Sequence, residues 1–273
     1  MFFFFSHDRR FIIKTLKSAE LPFFLKVLQS FFGHIVAQPD TLLPRFYGLY
    51  KLKLPRLSVI RVVVMNNLFY TPLSMDHQFD LKGSTVKRWV SDEEKAQGTS
   101  VLKDLNFSND GLGKQPAGVP VVKMKVYIGG GEADQRYTTL LEILRTDANW
   151  LRDHNIMDYS LLLGICKDCS GHTATTVVTA TSDGAETAHV VSKWETDFGG
   201  LRARQTDGSS RSEVYFFGII DILQEYDIKK KLEHEIKAHK QIQKGGDPNA
   251  ISAVKSSVYA KRFVDYLSRN ICA

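Results

Sequence analysis

Along the first 70 positions the apolar residues form short β-like runs and one helical stretch. Phe2 to Phe5 and Phe11 to Ile13 are apolar runs on either side of the polar turn Ser6 to Arg9, and β-branched Ile12 and Ile13 mark the second as a strand ending at Lys14. In AELPFFLKVLQSFFGHIV the spacing of Phe23, Val27, Phe31 and Ile35 predicts a helix, with Glu20 near its start, Pro22 tolerated in its first turn and Gly33 loosening its end. LPRFYGLYKLK and LSVIRVVVMNNLFY then read as strands joined by a turn at Leu54-Pro55-Arg56. The order β, α, β, β describes part of a small lobe, about residues 1–70.

From Phe79 to Tyr127 the pattern weakens: FDLKGST, a polar SDEEKAQG, VLKDLNF and a Gly/Pro-containing loop follow one another without strong periodicity. TTLLEILRTDANWLRDH is an amphipathic helix with Leu140, Ile143, Leu144 and Leu151 on one face. In HNIMDYSLLLGI, Asp158 then stands in front of the apolar run Leu161 to Leu163. A carboxylate there costs desolvation unless a cation, metal or proton donor awaits it, although the local pattern equally admits a turn-capping role. Lys167 to Ser212 is rich in Ser, Thr, Gly and Ala and is expected to be an exposed, partly disordered insertion. Order resumes in EVYFFGIIDIL, which carries Asp221. A basic segment broken at Gly245 and Gly246 then leads to a terminal helix.

Composition narrows the partners. The 273 residues are 43% hydrophobic with a net charge of +6 and a pI near 9.1, which favours a polyanionic partner such as a nucleic acid, an anionic membrane surface or a phosphorylated small molecule. Six lysines, Lys229, Lys230, Lys231, Lys237, Lys240 and Lys244, crowd one segment, and no nucleic-acid-binding motif accompanies them. Three cysteines are too few for a disulfide framework, and Cys166 and Cys169 lack the second pair of a closed zinc site, so a reducing cytosolic or nuclear setting is expected. The apolar run in MFFFFSHDRR is too short for a targeting signal. No stretch reaches the roughly 20 apolar residues of a membrane span, so membrane contact is expected to be peripheral.

One lysine and two acids stand in an order compatible with phosphoryl transfer, although a strand-end lysine taken alone reads first as solvated structure. The transfer requires a cation on the nucleotide phosphates, an acid facing the acceptor hydroxyl and a second acid on Mg²⁺. Lys14 at a strand end, with Glu20 at the following helix to orient it, suits the first; Asp158 suits the second and Asp221 the third. Asp197 of TDFGG matches a metal-binding motif by letters but lacks a core strand before it, and so ranks below Asp221.

Together IIKT, LLPRFYGLY, VVMNNLF, FDLKGST, IMDYSLLLGI and GIIDILQEYDIKKKLEH resemble the catalytic domain of the phosphatidylinositol phosphate kinases, over about Phe2 to Arg269. The resemblance implies an α+β, two-lobed fold distantly related to protein kinases. ATP would lie between an incomplete N-terminal lobe, residues 1–70, and a C-terminal α/β lobe, residues 71–273, with an activation loop at about 222–250. It implies Ile13, Lys14, Glu20 and the hinge residues Asn66, Asn67 and Leu68 as nucleotide contacts. Asp158, Asp80 and Lys82 are implied as catalytic, with Asp221 and Asp158 on Mg²⁺. It also implies Lys229, Lys230, Lys231, Glu233 and Lys237 as headgroup and membrane contacts. The expected substrate is phosphatidylinositol 4-phosphate in an anionic membrane, phosphorylated at its 5-hydroxyl, because the family's 4-phosphate-directed enzymes resemble this chain in carrying Glu at position 233.

The family also places a GxSG turn immediately before the aromatic strand that begins at Phe2, and no such segment lies between Met1 and that strand. The expectation is a fragment, a truncated product or a form with impaired nucleotide binding. Loss of donors of that kind lowers turnover on the order of 100-fold. A catalytically weak phosphoinositide-binding or scaffold protein is the alternative reading.

Overall fold

The computed structural model of the protein describes residues 2–53, 55, 59–108, 123–129, 135–167, 200–204, 210–226 and 254–272. The first 66 residues build an antiparallel sheet in the order β1-β2-β4-β3, from β1 (Phe3–Phe5), β2 (Phe11–Thr15), β3 (Phe46–Leu52) and β4 (Ile60–Asn66). The predicted helix is α1 (Glu20–Ala37), which buries Phe23, Phe24, Val27 and Phe31; the rings of Phe24 and Phe31 meet Phe46 of β3 at 4.9 and 5.2 Å between centroids. Gly33 does not loosen the helix end as the sequence suggested. The flanking Phe31 and Ile35 pack into the core and outweigh the roughly 1 kcal/mol helix penalty of glycine.

The second sheet has five strands in the order β6-β5-β8-β10-β9: β5 (His77–Leu81), β6 (Val101–Lys103), β8 (Ser160–Cys166), β9 (Leu201–Arg204) and β10 (Ser210–Ile220). Only β5 and β6 run parallel in it. Two short helices, α2 (Asp92–Ala96) and α3 (Asp104–Phe107), connect its parts, and β7 (Val126–Tyr127) pairs in parallel with β11 (Ile271–Cys272). The amphipathic helix α4 (Arg136–Asp153) packs against α5 (Ser256–Asn270), and both contribute to one core with β5, β8 and β10.

The Ser/Thr-rich segment expected at 167–212 is narrower than its composition implied. Leu201–Arg204 is a strand with Leu201 and Ala203 buried, and β10 begins at Ser210, because alternation of apolar and basic residues supplies an inward face. Residues 168–199 and 205–209, with Cys169 and Asp197, lie outside the described residues, as do 227–253 with Lys229, Lys230, Lys231, Glu233 and Lys237. No helix among the described residues is long and apolar enough to cross a membrane.

Candidate active site

Strand register brings the chemistry together. Leu81 of β5 pairs with Leu161 of β8, and Leu161 pairs with Ile219 of β10. Lys82 follows β5 directly, Asp158 lies two residues before β8, and Asp221 follows β10 directly, so all three leave the sheet at one end. Asp158 and Asp221 both have left-handed backbone, at φ 64° and 60°. Such conformations cost non-glycine residues energy and cluster at functional sites. The segments bearing them are stitched together: the Met157 N–H donates to the Gln224 carbonyl at 3.1 Å and the Tyr226 N–H to the Asn155 carbonyl at 2.8 Å. Tyr159, fully buried beside Asp158, is held edge-on by Tyr259 and Phe263 of α5 at 4.7 and 5.0 Å.

Each carboxylate meets a lysine. Lys14 Nζ donates to Asp221 Oδ1 at 2.7 Å, with the lysine side chain 5% exposed and the aspartate 42%. Lys82 Nζ donates to both the carbonyl and Oδ1 of Asp158, each at 2.7 Å. In both cases Oδ1 is taken, and among the described residues no hydrogen bond reaches Oδ2. The expected pairing of Lys14 with Glu20 is not formed. Glu20 instead accepts the Lys17 N–H at 2.6 Å, closing the start of its own helix, where a carboxylate suits the helix dipole. Ile13 and Lys14 are neighbours in β2. Successive strand residues face opposite sides, so Ile12, not Ile13, shares the face of Lys14.

Asp80 is turned toward Arg88, which the sequence reading did not single out. Arg88 Nη2 donates to the Asp80 carbonyl and to Asp80 Oδ1, the latter at 2.5 Å, while its Nε donates to Asp104 Oδ2 at 2.5 Å. Burial alone lowers the pKa of this guanidinium, but the adjacent Asp104 and Asp80 outweigh it and raise the pKa above the ordinary arginine value. Burial also pushes the hydroxyls of Tyr159 and Tyr259 upward; the Tyr259 hydroxyl donates to the Tyr159 carbonyl, whereas the buried Tyr159 hydroxyl meets no hydrogen-bond partner among the described residues.

The expected hinge is braced by its own asparagines. Asn66 Oδ1 accepts the Arg45 N–H at 2.8 Å, and Asn67 donates through Nδ2 to the Arg9 carbonyl at 2.8 Å and accepts the Phe69 N–H at 3.1 Å. These side chains are therefore spent on the backbone. Leu68 lies on the five-stranded sheet at Gly218 of β10, where an added Cβ would come within 2.2 Å of Leu68 Cδ1. The N–H and C=O of Leu68 make no hydrogen bond among the described residues.

The helix α1 is fastened to α4 by a buried acid. Asp147 of α4 accepts from His34 Nε2 at 2.7 Å, from the Thr41 hydroxyl at 2.5 Å and from the Leu42 N–H at 2.8 Å. A carboxylate only accepts, which assigns the His34 proton to Nε2. The Leu42 carbonyl in turn accepts the Ile219 N–H at 2.8 Å, two residues before Asp221. Lys26 of α1 also reaches Glu225 at 2.8 Å. Asp147 interrupts the apolar face of an otherwise amphipathic helix, a signal legible in the sequence and not used there.

The donor set suits a hard divalent cation. Mg²⁺ binds through one or two carboxylates together with phosphate oxygens and water, and Asp158 and Asp221 offer two carboxylates at one sheet end. Among the described residues no three His, Cys, Asp or Glu side chains are grouped as a protein-only metal cage.

Residues 1–270 match the family model described as phosphatidylinositol-4-phosphate 5-kinase. A probable phosphatidylinositol phosphate kinase of Dictyostelium discoideum is 32% identical over 97% of the chain and 40% of its own length. The phosphatidylinositol 5-phosphate 4-kinase type-2 alpha of Sus scrofa is 34% identical over 96% of the chain and 65% of its length. The phosphatidylinositol 4-phosphate 5-kinase type-1 beta of Gallus gallus is 32% identical over 98% and 50%. The chain thus spans between two fifths and two thirds of the length of these curated relatives.

Proposed function

Because the chain belongs to the phosphatidylinositol phosphate kinase family, we propose that it transfers the γ-phosphoryl group of ATP to the 5-hydroxyl of phosphatidylinositol 4-phosphate, yielding the 4,5-bisphosphate. The observation that carries the reading is the convergence of the Lys14–Asp221 and Lys82–Asp158 pairs at one sheet end. Lys14 holds the nucleotide phosphates, and the Leu68 backbone takes the base. Asp158 accepts the proton of the attacking hydroxyl as its oxygen bonds to the γ-phosphorus and the bond to the β–γ bridging oxygen breaks, releasing ADP. Asp221, with Asp158, would hold Mg²⁺, which neutralises charge on the phosphate oxygens. Lys82 keeps the Asp158 carboxylate in place.

Relatives named for 4-kinase and for 5-kinase activity match about equally, so the choice of hydroxyl rests on Glu233 in KKKLEHEIK. A carboxylate among lysines fixes how the headgroup is presented and hence which hydroxyl faces Asp158. Peripheral docking at the cytoplasmic face of an anionic membrane, through Lys229 to Lys231 and Lys237, follows from the charge of that segment.

The test is to supply ATP, Mg²⁺ and vesicles carrying either the 4-phosphate or the 5-phosphate isomer and to identify the product by chromatography. The expected result is preferential use of the 4-phosphate, with Glu233→Ala moving the ratio toward the 5-phosphate. Equal use of both isomers by the parent removes the specificity reading. Vesicle binding without any product removes the kinase reading and favours a binding protein of the same fold.

A further inference from the structure

Lys82 owes its position to a turn, and the turn is held by Asp104, a carboxylate to which the proposed phosphoryl transfer gives no role. Immediately after β5 the chain passes through Gly83 at φ 67°, pressed so closely on α5 that an added Cβ would lie 3.0 Å from Tyr266 Cβ and 3.1 Å from the Arg262 carbonyl oxygen. The N–H groups of this turn point at one acceptor. Asp104 Oδ1 receives the Lys82 N–H at 2.8 Å and the Gly83 N–H at 2.6 Å, with the Ser84 N–H at 3.4 Å. Converging backbone donors of this kind form an anion cradle, and here a side chain of the same protein fills it. Asp104 is fully buried, and its other oxygen is held by Arg88. Its backbone is held too: the Tyr266 hydroxyl donates to the carbonyls of Asp104 at 3.3 Å and Ser108 at 3.1 Å.

We infer that Asp104 is a positioning residue: it ties the Lys82-Gly83-Ser84 turn to Arg88 and α5 so that the Lys82 ammonium is delivered to Asp158. A lysine stem is flexible, and its ammonium takes a fixed place only when its backbone is fixed and its partners are in reach. The Lys82 side chain is 12% exposed and makes two 2.7 Å bonds to Asp158, a degree of order that the turn supplies. The inference rests on the proposed kinase reading for its consequence, and on geometry alone for the restraint.

The experiment replaces Asp104 with Asn, which has the same shape. If the Asn oxygen keeps the cradle N–H groups, its amide N–H faces Arg88 Nε–H, and two donors oppose each other. Lysine-reactive labelling read by mass spectrometry reports each ammonium separately. The expected result is an increase of about tenfold or more in the labelling rate of Lys82, with Lys14 unchanged, as local opening gives. In turnover, kcat falls while KM for ATP holds. Unchanged Lys82 labelling in a folded Asp104→Asn protein overturns the inference, as does an equal rise at Lys14 and Lys82, which marks general loosening. If Asp104→Asn fails to fold, Tyr266→Phe, which loses one hydroxyl, carries the test: a smaller rise confined to Lys82 supports the inference, and no rise overturns it. Labelling needs no catalysis. A Lys82-specific rise in a chain inactive on lipid therefore removes the kinase reading and leaves the restraint standing.

Discussion

Lys14 and Asp221, 207 positions apart in the chain, meet at 2.7 Å between Nζ and Oδ1, and they are unequally buried. The inequality sets the consequence of breaking the pair. Lys14→Met removes a buried charge and leaves Asp221 in contact with water, so stability changes little. Asp221→Asn leaves the buried ammonium without its counter-charge and is expected to cost up to about 3 kcal/mol, the low end for buried pairs because Asp221 is half exposed. Both variants should lose phosphoryl transfer. Urea unfolding of the two single variants and the double variant checks the asymmetry, the double being more stable than Asp221→Asn alone.

Asp147 tests how firmly α1 is tied to α4. It is fully buried and accepts three hydrogen bonds. Asp147→Ala should destabilise by about 3 kcal/mol or more, since several buried donors are left unsatisfied together. Thr41→Val, which loses one donor and the acceptor of the Leu43 N–H, should cost about 1 to 2 kcal/mol. Denaturation midpoints at unchanged m-value give both numbers.

At the hinge, Gly218→Ala places a Cβ against Leu68 Cδ1 at 2.2 Å and Cγ at 2.9 Å. Leu68 must then move off the β10 backbone. An overpacking cost of about 1 to 3 kcal/mol is expected, with a raised KM for ATP because the Leu68 backbone moves with its side chain. Steady-state kinetics at saturating lipid separate this from a loss of kcat.

Replacing Lys229, Lys230 and Lys231 by Ala should weaken binding to anionic vesicles by about tenfold or more, each lysine near a charged leaflet being worth about 1 kcal/mol before the neighbouring acids are subtracted. The salt dependence of sedimentation with vesicles should flatten in parallel. Equal binding of parent and variant would make the run a solvated surface.

The sequence by itself determined the elements. The 3.6-residue spacing of Phe23, Val27 and Phe31 and of Leu140, Leu144 and Leu151, and the apolar strands ending near Asp158 and Asp221, are local records of burial, and a helix or strand reads its own period. That two acids stood at the ends of apolar strands was legible for the same reason, although the side chains of Asp158 and Asp221 remain 32% and 42% exposed. What pairs with them was not. Lys14 meets Asp221 and not the nearby Glu20, and Lys82 meets Asp158 because β5, β8 and β10 align in one register. Arg88 reaches across to Asp104, and Asp147 faces His34 from another helix. Propensity and period fix a residue's face within its own element, while an ion pair is fixed by the packing of elements distant in the chain, and only the tertiary structure carries that geometry.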